Sequence, residues 1–216
     1  MTRKLLAEAL GTAFLLIGVV GSGIMAETLS PDNTGVALLA NAIATGGILY
    51  VIITIFAPVS GAHFNPAVTF TFWLKGDVPM HEAALYCLVQ IWAAILGVWI
   101  AHVMFEEQIL QLSSTLRTGP SQWVSEVVAS FGLVLLILGG IKHAPERIAA
   151  LVAAYITGAY WFTSSTSFAN PAVTIARSLT DTFAGIHPAN MPLFIVMQLV
   201  GAALALAMAR VVFARN

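Results

Sequence analysis

Long runs of apolar residues constrain this chain more than any other feature of its sequence. Six of them reach or approach the roughly 20 residues that a helix needs to cross a bilayer core of about 30 Å. Charged residues make up only 9% of the chain, against roughly 25% in an average soluble domain. The sequence therefore predicts an all-α membrane protein. The predicted spans are residues 4–25, 35–56, 81–104, 122–141, 147–165 and 190–211.

Composition also excludes several classes of protein. A formal net charge of −1 argues against nucleic-acid binding, which needs a basic surface. Cys87 is the single cysteine, which excludes an internal disulfide and a multi-thiolate metal site. The chain has no cofactor loop, no nucleophile paired with a base and no metal-binding cluster, so we expect no cofactor, no metal and no enzymatic activity.

Basic residues orient the predicted spans. By the positive-inside rule, the face that collects most of them is cytoplasmic, which places both termini in the cytoplasm and predicts an inner-membrane protein. One face collects Arg3, Lys4, Lys75, Lys142, Arg147, Arg210 and Arg215, and the other holds Arg117 and Arg177.

The two halves of the chain resemble each other. With three spans in each half, the second copy starts from the opposite face, and inverted repeats of this kind place a site at the bilayer midplane. We expect one transmembrane domain over residues 1–216, with repeats at about 1–105 and 121–216. The matching positions are Glu8 and Glu126, Gln90 and Gln198, and the triplets Asn65-Pro66-Ala67 and Asn170-Pro171-Ala172.

Each Asn-Pro-Ala triplet predicts the start of a short helix, because Asn is a strong N-cap and Pro suits the first helical position. The apolar pieces 66–74 and 171–179 are long enough to cross only half of the membrane. Non-helical backbone at that depth survives where it is buried or lines a wet cavity, which predicts that residues 60–64 and 164–169 border one. Each helix start carries a partial positive charge, so two of them facing each other repel protons and metal cations. Neutral solutes are little affected by this electrostatic field.

These features resemble the aquaporin family, also called major intrinsic proteins. The resemblance implies a right-handed bundle of six transmembrane helices with two re-entrant half-helices, a pore in each monomer and a homotetramer. It implies small neutral solutes and membrane lipid as partners. It rests on Ala7-Glu8-Ala9-Leu10-Gly11-Thr12, Ser60-Gly61-Ala62-His63-Phe64-Asn65-Pro66-Ala67-Val68-Thr69, Gln90, Glu126, the second triplet and Gln198.

The resemblance further implies a selectivity filter away from the two triplets. Carried over by position, its members are Thr45, Gly158, Ser167 and Val173. The second triplet of the family usually continues with Arg, whereas here it continues with Val173, and Arg177 follows one helical turn later, near the outer mouth. Without an aromatic ring or a fixed cation, we expect a wider and less polar filter than that of a strict water channel.

The identity of the solute stays open between several neutral molecules. The run from Val173 to Thr180 is similar to bacterial aquaglyceroporins associated with arsenic detoxification. This resemblance predicts arsenite, in the form of neutral arsenous acid, leaving the cell down its gradient. A glycerol facilitator or a water channel is the alternative. An ion-coupled transporter is less favoured, because it would need a buried carboxylate exposed to the pathway.

Three titratable residues have two interpretations each. Glu8 and Glu126 lie inside spans, where an acidic group is by default a functional candidate. They could relay protons, or they could accept hydrogen bonds from the loop of their own half and support it, which suits the repeat better. His63 is predicted to line the cytoplasmic vestibule, where it would gate flow between about pH 5 and 8 or stay neutral and structural.

Overall fold

A computed structural model describes residues 1–214, so Arg215, which entered the orientation argument, lies outside the described residues. Within them, six long helices and two short ones form the fold, which confirms the predicted all-α class and its two half-helices. The long helices are α1 (Thr2–Leu29), α2 (Thr34–Ser60), α4 (Met80–Met104), α5 (Pro120–His143), α6 (Ile148–Phe162) and α8 (Met191–Val212). The short helices are α3 (Pro66–Lys75) and α7 (Pro171–Arg177).

Helix α6 is shorter than the sequence predicts. In the described part of the chain, the other five long helices are long and apolar enough to cross a membrane by themselves. Helix α6 has 15 residues, although the predicted span was 147–165. It ends at Phe162 because residues 163–170 run as non-helical backbone toward α7. A 3-10 turn at Pro145–Arg147 precedes α6 directly and lengthens it on its other side.

The half-helices begin where the triplets predict. Asn65 adopts an extended conformation before α3, and its side chain accepts a hydrogen bond from the backbone N–H of Ala67. Asn170 caps α7 in the same way. Gly76, with a φ of 88°, ends α3 in the left-handed conformation that helix C-termini favour. Helix α7 ends at Arg177, two residues before the predicted end.

The packing repeats from one half to the other. Helix α1 packs against α2 and α4, and α5 packs against α6 and α8, while the contact of α2 with α6 joins the halves. Two glycines permit the closest of these approaches. A Cβ on Gly97 would lie 2.5 Å from the carbonyl oxygen of Ala13, and one on Gly201 would lie 2.4 Å from that of Val127. Small residues of this kind let membrane helices pack backbone to backbone.

Candidate functional site

The two half-helices are joined through their N-cap side chains. Asn65 Nδ2 donates to the carbonyl oxygen of Ala169 at 2.7 Å, and Asn170 Nδ2 donates to that of Phe64 at 2.8 Å. Phe64 and Ala169 directly precede the two asparagines, and both have a positive φ, 48° and 47°. Since a side-chain amide has two N–H groups, each asparagine keeps one donor beyond this cross-link.

Glu8 holds the loop before the first half-helix. Its carboxylate accepts hydrogen bonds from the Ser60 hydroxyl at 2.6 Å and from the backbone N–H groups of His63 and Phe64 at 3.0 and 2.7 Å. Gln90 Nε2 donates to the same carboxylate at 2.8 Å. These hydrogen bonds tie the loop to α1 through Glu8 and to α4 through Gln90.

Glu126 repeats this arrangement in the second half. It accepts hydrogen bonds from the backbone N–H groups of Phe168 at 3.0 Å and Ala169 at 2.9 Å, and from Gln198 Nε2 at 2.6 Å. Both glutamates are fully buried, and neither is among the residues that line the cavity between the two half-helices. Their geometry is that of loop supports, which matches the second of the two interpretations offered by the sequence.

A cavity of about 260 Å³ passes between the two asparagine caps. We call its two limits the Pro145 end, lined by Ala57 and Pro145, and the Arg177 end, lined by Thr45 and Arg177. One wall is apolar and comes from the long helices, while the other comes from the two loops and contains the polar side chains of His63, Asn65, Ser167 and Asn170. The apolar wall comprises Leu15, Val19, Leu49, Ile53, Leu133, Ile137, Val152 and Ile156, and the loop wall comprises Gly61 to Asn65 and Ser167 to Asn170.

Three of the four predicted filter residues lie in the cavity wall, and Gly158 does not. Helix α6 turns Val152, Ile156 and Tyr160 toward the cavity. These residues are four apart and share one face, whereas Gly158 is two residues from Ile156 and Tyr160, about 200° around the helix. Gly158 therefore does not line this cavity, and its place in the filter stays a prediction. Tyr160 lines the cavity, with its hydroxyl 3.1 Å from the Thr45 hydroxyl.

The Arg177 end also carries a cation and a second aromatic ring. Arg177 is 2% exposed, and its guanidinium carbon lies 3.5 Å from the centroid of the Phe168 ring. Its Nε donates to the carbonyl oxygen of Ala184. Besides the predicted positions, this end of the cavity wall thus contains two aromatic rings and a cation. Val173 and Arg177 are one turn apart on α7, so both reach the cavity wall.

A second arginine reaches the same ring from the segment between α4 and α5. The guanidinium carbon of Arg117 lies 5.3 Å from the Phe168 centroid. Its Nε donates to the carbonyl oxygen of Gly185 at 2.7 Å. From the sequence, Arg117 contributes only to the predicted orientation. No local pattern predicts its contact with Phe168, which lies about fifty residues further along the chain.

His63 lies in the loop wall toward the Pro145 end. Its ring stacks on Phe72 with centroids 4.7 Å apart and meets the edge of Tyr86 at 5.4 Å. Its Nδ1 is 3.1 Å from the hydroxyl of Thr69. These contacts hold the ring in one orientation. No group of three His, Cys, Asp or Glu side chains within residues 1–214 is arranged to hold a metal ion.

The fold and the cavity together define a class of protein: a helical membrane channel in which two half-helices meet beside a central cavity. Comparison with known families gives the same class. Residues 1–165 match the family described as Major intrinsic protein. The chain therefore belongs to the major intrinsic protein family, which is a family of channels and not of enzymes.

Individual relatives and a solved structure extend this result. Aquaglyceroporin AqpS of Rhizobium meliloti is 54% identical over 210 residues, covering 97% of this chain and 90% of that protein. The glycerol uptake facilitator protein of Streptococcus pneumoniae is 33% identical over 151 residues, covering 63% of this chain and 64% of that protein. The X-ray structure of the aquaglyceroporin from Plasmodium falciparum matches with a TM-score of 0.75 and 19% identity, covering 99% of this chain and 97% of that one, and supports the fold.

Proposed function

We propose that this protein is a passive channel for small uncharged solutes and that neutral arsenous acid is its main solute. The observation that carries the proposal is the two-sided wall of the cavity, apolar on the helices and polar on the loops. A solute that enters must give up water. A neutral molecule with several hydroxyl groups can replace its hydrogen bonds to water by hydrogen bonds to the loop wall. An ion loses far more hydration energy than contacts with this wall provide.

The centre of the cavity favours neutral oxygen compounds in particular. Each half-helix start carries roughly half a positive charge, which opposes protons and metal cations. Asn65 and Asn170 each have one amide N–H beyond their cross-link, and both line the cavity. These N–H groups would donate to a passing hydroxyl oxygen. Pro66 and Pro171 are the first residues of the two half-helices, so both helix starts lie at the cavity.

Val173 supports a solute wider than water. It occupies the position after the second triplet where the family usually has Arg, and the nearest cation, Arg177, is one turn further along α7. A branched apolar side chain beside the hydroxyls of Thr45 and Ser167 leaves room for a trihydroxy solute. Arsenous acid and glycerol both carry three hydroxyl groups, and the resemblance to arsenic-associated aquaglyceroporins favours the first.

Glycerol is the second candidate solute. It is favoured by the relative from Streptococcus pneumoniae that is named a glycerol uptake facilitator protein. Since the two solutes share size and hydroxyl count, the same wall would serve both, and measured permeabilities decide between them.

We further infer that the channel lies in the bacterial inner membrane with both termini in the cytoplasm, and that four copies assemble. The basic residues support the orientation, since Lys75, Lys142 and Arg210 gather on the face opposite to Arg117. Under this orientation the Arg177 end of the cavity is the outer mouth, and the Pro145 end opens to the cytoplasm with His63 in its vestibule.

Stopped-flow light scattering of reconstituted liposomes tests the proposal. After mixing with hyperosmotic arsenous acid, liposomes that contain the protein should shrink and then reswell quickly, as they should, less rapidly, with glycerol. Sucrose should give shrinkage alone. Fast shrinkage in every case without reswelling would mean that the protein conducts water and excludes the proposed solutes.

Val173→Arg tests the filter. A guanidinium at this position should narrow the cavity and reduce arsenous acid and glycerol flux by about tenfold or more, with a smaller effect on water. Val173→Leu is the matched control, because it adds bulk without charge or donors. Equal solute fluxes in the wild type and Val173→Arg would show that the filter lies elsewhere.

A further inference from the structure

Two arginines at the Arg177 end of the cavity have no ion-pair partner within residues 1–214. Arg177 is 2% exposed and lines the cavity, and Arg117 approaches the same Phe168 ring. Among the described residues, neither arginine has an acidic partner within ion-pair distance. The ion pairs among residues 1–214 are Lys4–Glu82, Lys75–Asp77 and Arg147–Glu146, all of them elsewhere.

The neighbouring carboxylates are committed to other groups. Glu126, the buried acid of this half, accepts its hydrogen bonds from the loop before α7 and from Gln198, and none from a guanidinium. Two exposed acids accept hydrogen bonds from the backbone of neighbouring segments. Glu27 accepts one from the N–H of Phe183, and Asp181 accepts one from the N–H of Ser114. Within residues 1–214, no carboxylate therefore forms an ion pair with Arg117 or Arg177.

The guanidinium of Arg177 also has hydrogen-bonding capacity to spare. Arginine carries five N–H donors in a planar fork. In the described residues, Arg177 uses its Nε alone, toward the carbonyl oxygen of Ala184. Arg177 lines the cavity, and the hydroxyl of Ser167 in the same wall has no partner within residues 1–214. A guanidinium fork of this kind matches two oxygens of one planar anion.

We propose that Arg177, assisted by Arg117, binds a small monovalent oxyanion at the Arg177 end of the cavity. A single negative charge pairs with the guanidinium of Arg177, and the two oxygens of a planar carboxylate match its fork of N–H donors. The bound anion stays at this end, because the apolar wall beyond it offers no further cation. The site goes beyond the proposed channel function: it lies at one mouth of the path and does not require the path to conduct.

Isothermal titration of the purified full-length protein with sodium formate tests the site. The wild type should show one saturable binding event per chain at constant ionic strength. Arg177→Gln should weaken it by about tenfold or more, and Arg117→Gln by a smaller factor, since Arg117 lies further from the ring and outside the cavity wall. Arg147→Gln is the matched control, because this exposed arginine is remote from the cavity, and it should bind formate like the wild type.

A charge-preserving variant keeps the test decisive if Arg177→Gln does not fold. Arg177→Lys retains the cation and loses the fork, so formate affinity should fall between those of the wild type and the Gln variant. Absence of saturable binding to the wild type, or equal affinities for the Arg177 and Arg147 variants, would overturn the proposal. If wild-type liposomes conduct arsenous acid but the protein binds no formate, the anion site is disproved and the channel proposal stands. If the protein binds formate but the liposomes conduct no arsenous acid, the channel proposal is disproved and the anion site stands.

Discussion

Asn65 and Asn170 each use one amide group in two ways. The Oδ1 atom caps the half-helix that the residue begins, and the Nδ2 group holds the opposite loop. The sequence predicts the caps, because Asn followed by Pro is a local signal. It does not predict the cross-links, since each joins residues more than one hundred positions apart and depends on how the two halves meet.

Loss of the Asn170 amide should cost more than loss of an ordinary helix cap. Asn170→Ala removes a cap worth about 1 kcal/mol and also leaves the buried carbonyl of Phe64 without its donor, for a total of about 2–4 kcal/mol. Asn33→Ala is the matched control, because Asn33 caps the exposed start of α2 by one hydrogen bond to Val36. Denaturant unfolding in mild detergent measures both. Equal losses in the two variants would contradict the structural role of the cross-link.

Glu126 should contribute to stability far more than an exposed acid. Glu126→Ala leaves the N–H groups of Phe168 and Ala169 without their acceptor and removes one of the two acceptors of Gln198 Nε2. We expect a loss of at least about 3 kcal/mol. Glu146→Ala, whose side chain is 68% exposed, should stay within about 0.5 kcal/mol of the wild type. Thermal unfolding of the two variants side by side checks this. A small loss for Glu126→Ala would show that the loop is held by other contacts.

At the level of elements, the sequence predicts more of the fold than of the site. Apolar runs locate the helices, and the triplets locate both half-helix starts, because these are properties of neighbouring residues. The end of α6 and the cavity-facing role of Tyr160 depend on the path of residues 163–170. The four-residue spacing from Val152 through Ile156 to Tyr160 is the signal that would have identified Tyr160.

The crossing of α5 and α8 should be the most sensitive helix contact to added volume. A Cβ on Gly201 would lie 2.4 Å from the backbone oxygen of Val127, which cannot move without shifting α5. We expect Gly201→Ala to destabilise the protein by about 1–3 kcal/mol. Gly47→Ala is the matched control, because its new Cβ would meet nothing within 4 Å, and the helix should gain up to about 1 kcal/mol. Unfolding in detergent tests both, and a Gly201→Ala variant as stable as the wild type would contradict this packing.

For the whole molecule, the inverted arrangement and the distribution of basic residues together predict which face is outside. In a Cys87→Ser background, a cysteine introduced at Leu112, which is 68% exposed, should react with a membrane-impermeant maleimide added to intact cells. A cysteine at the exposed position Asp77 should react only after the cells are opened. The opposite pattern would place the termini outside and invert the assignment of the Arg177 end.

The role of the cavity as the solute path is tested most directly by filling it. Val152 lies in the apolar wall and is 5% exposed, whereas its neighbour Leu151 points away from the cavity and is 39% exposed. Arsenous acid and glycerol permeability should be measured in liposomes that contain equal amounts of folded Val152→Trp or Leu151→Trp protein. The account predicts that the indole at position 152 abolishes flux of both solutes and that the indole at position 151 leaves it near the wild-type level. Unchanged flux through Val152→Trp would show that solutes do not pass through this cavity.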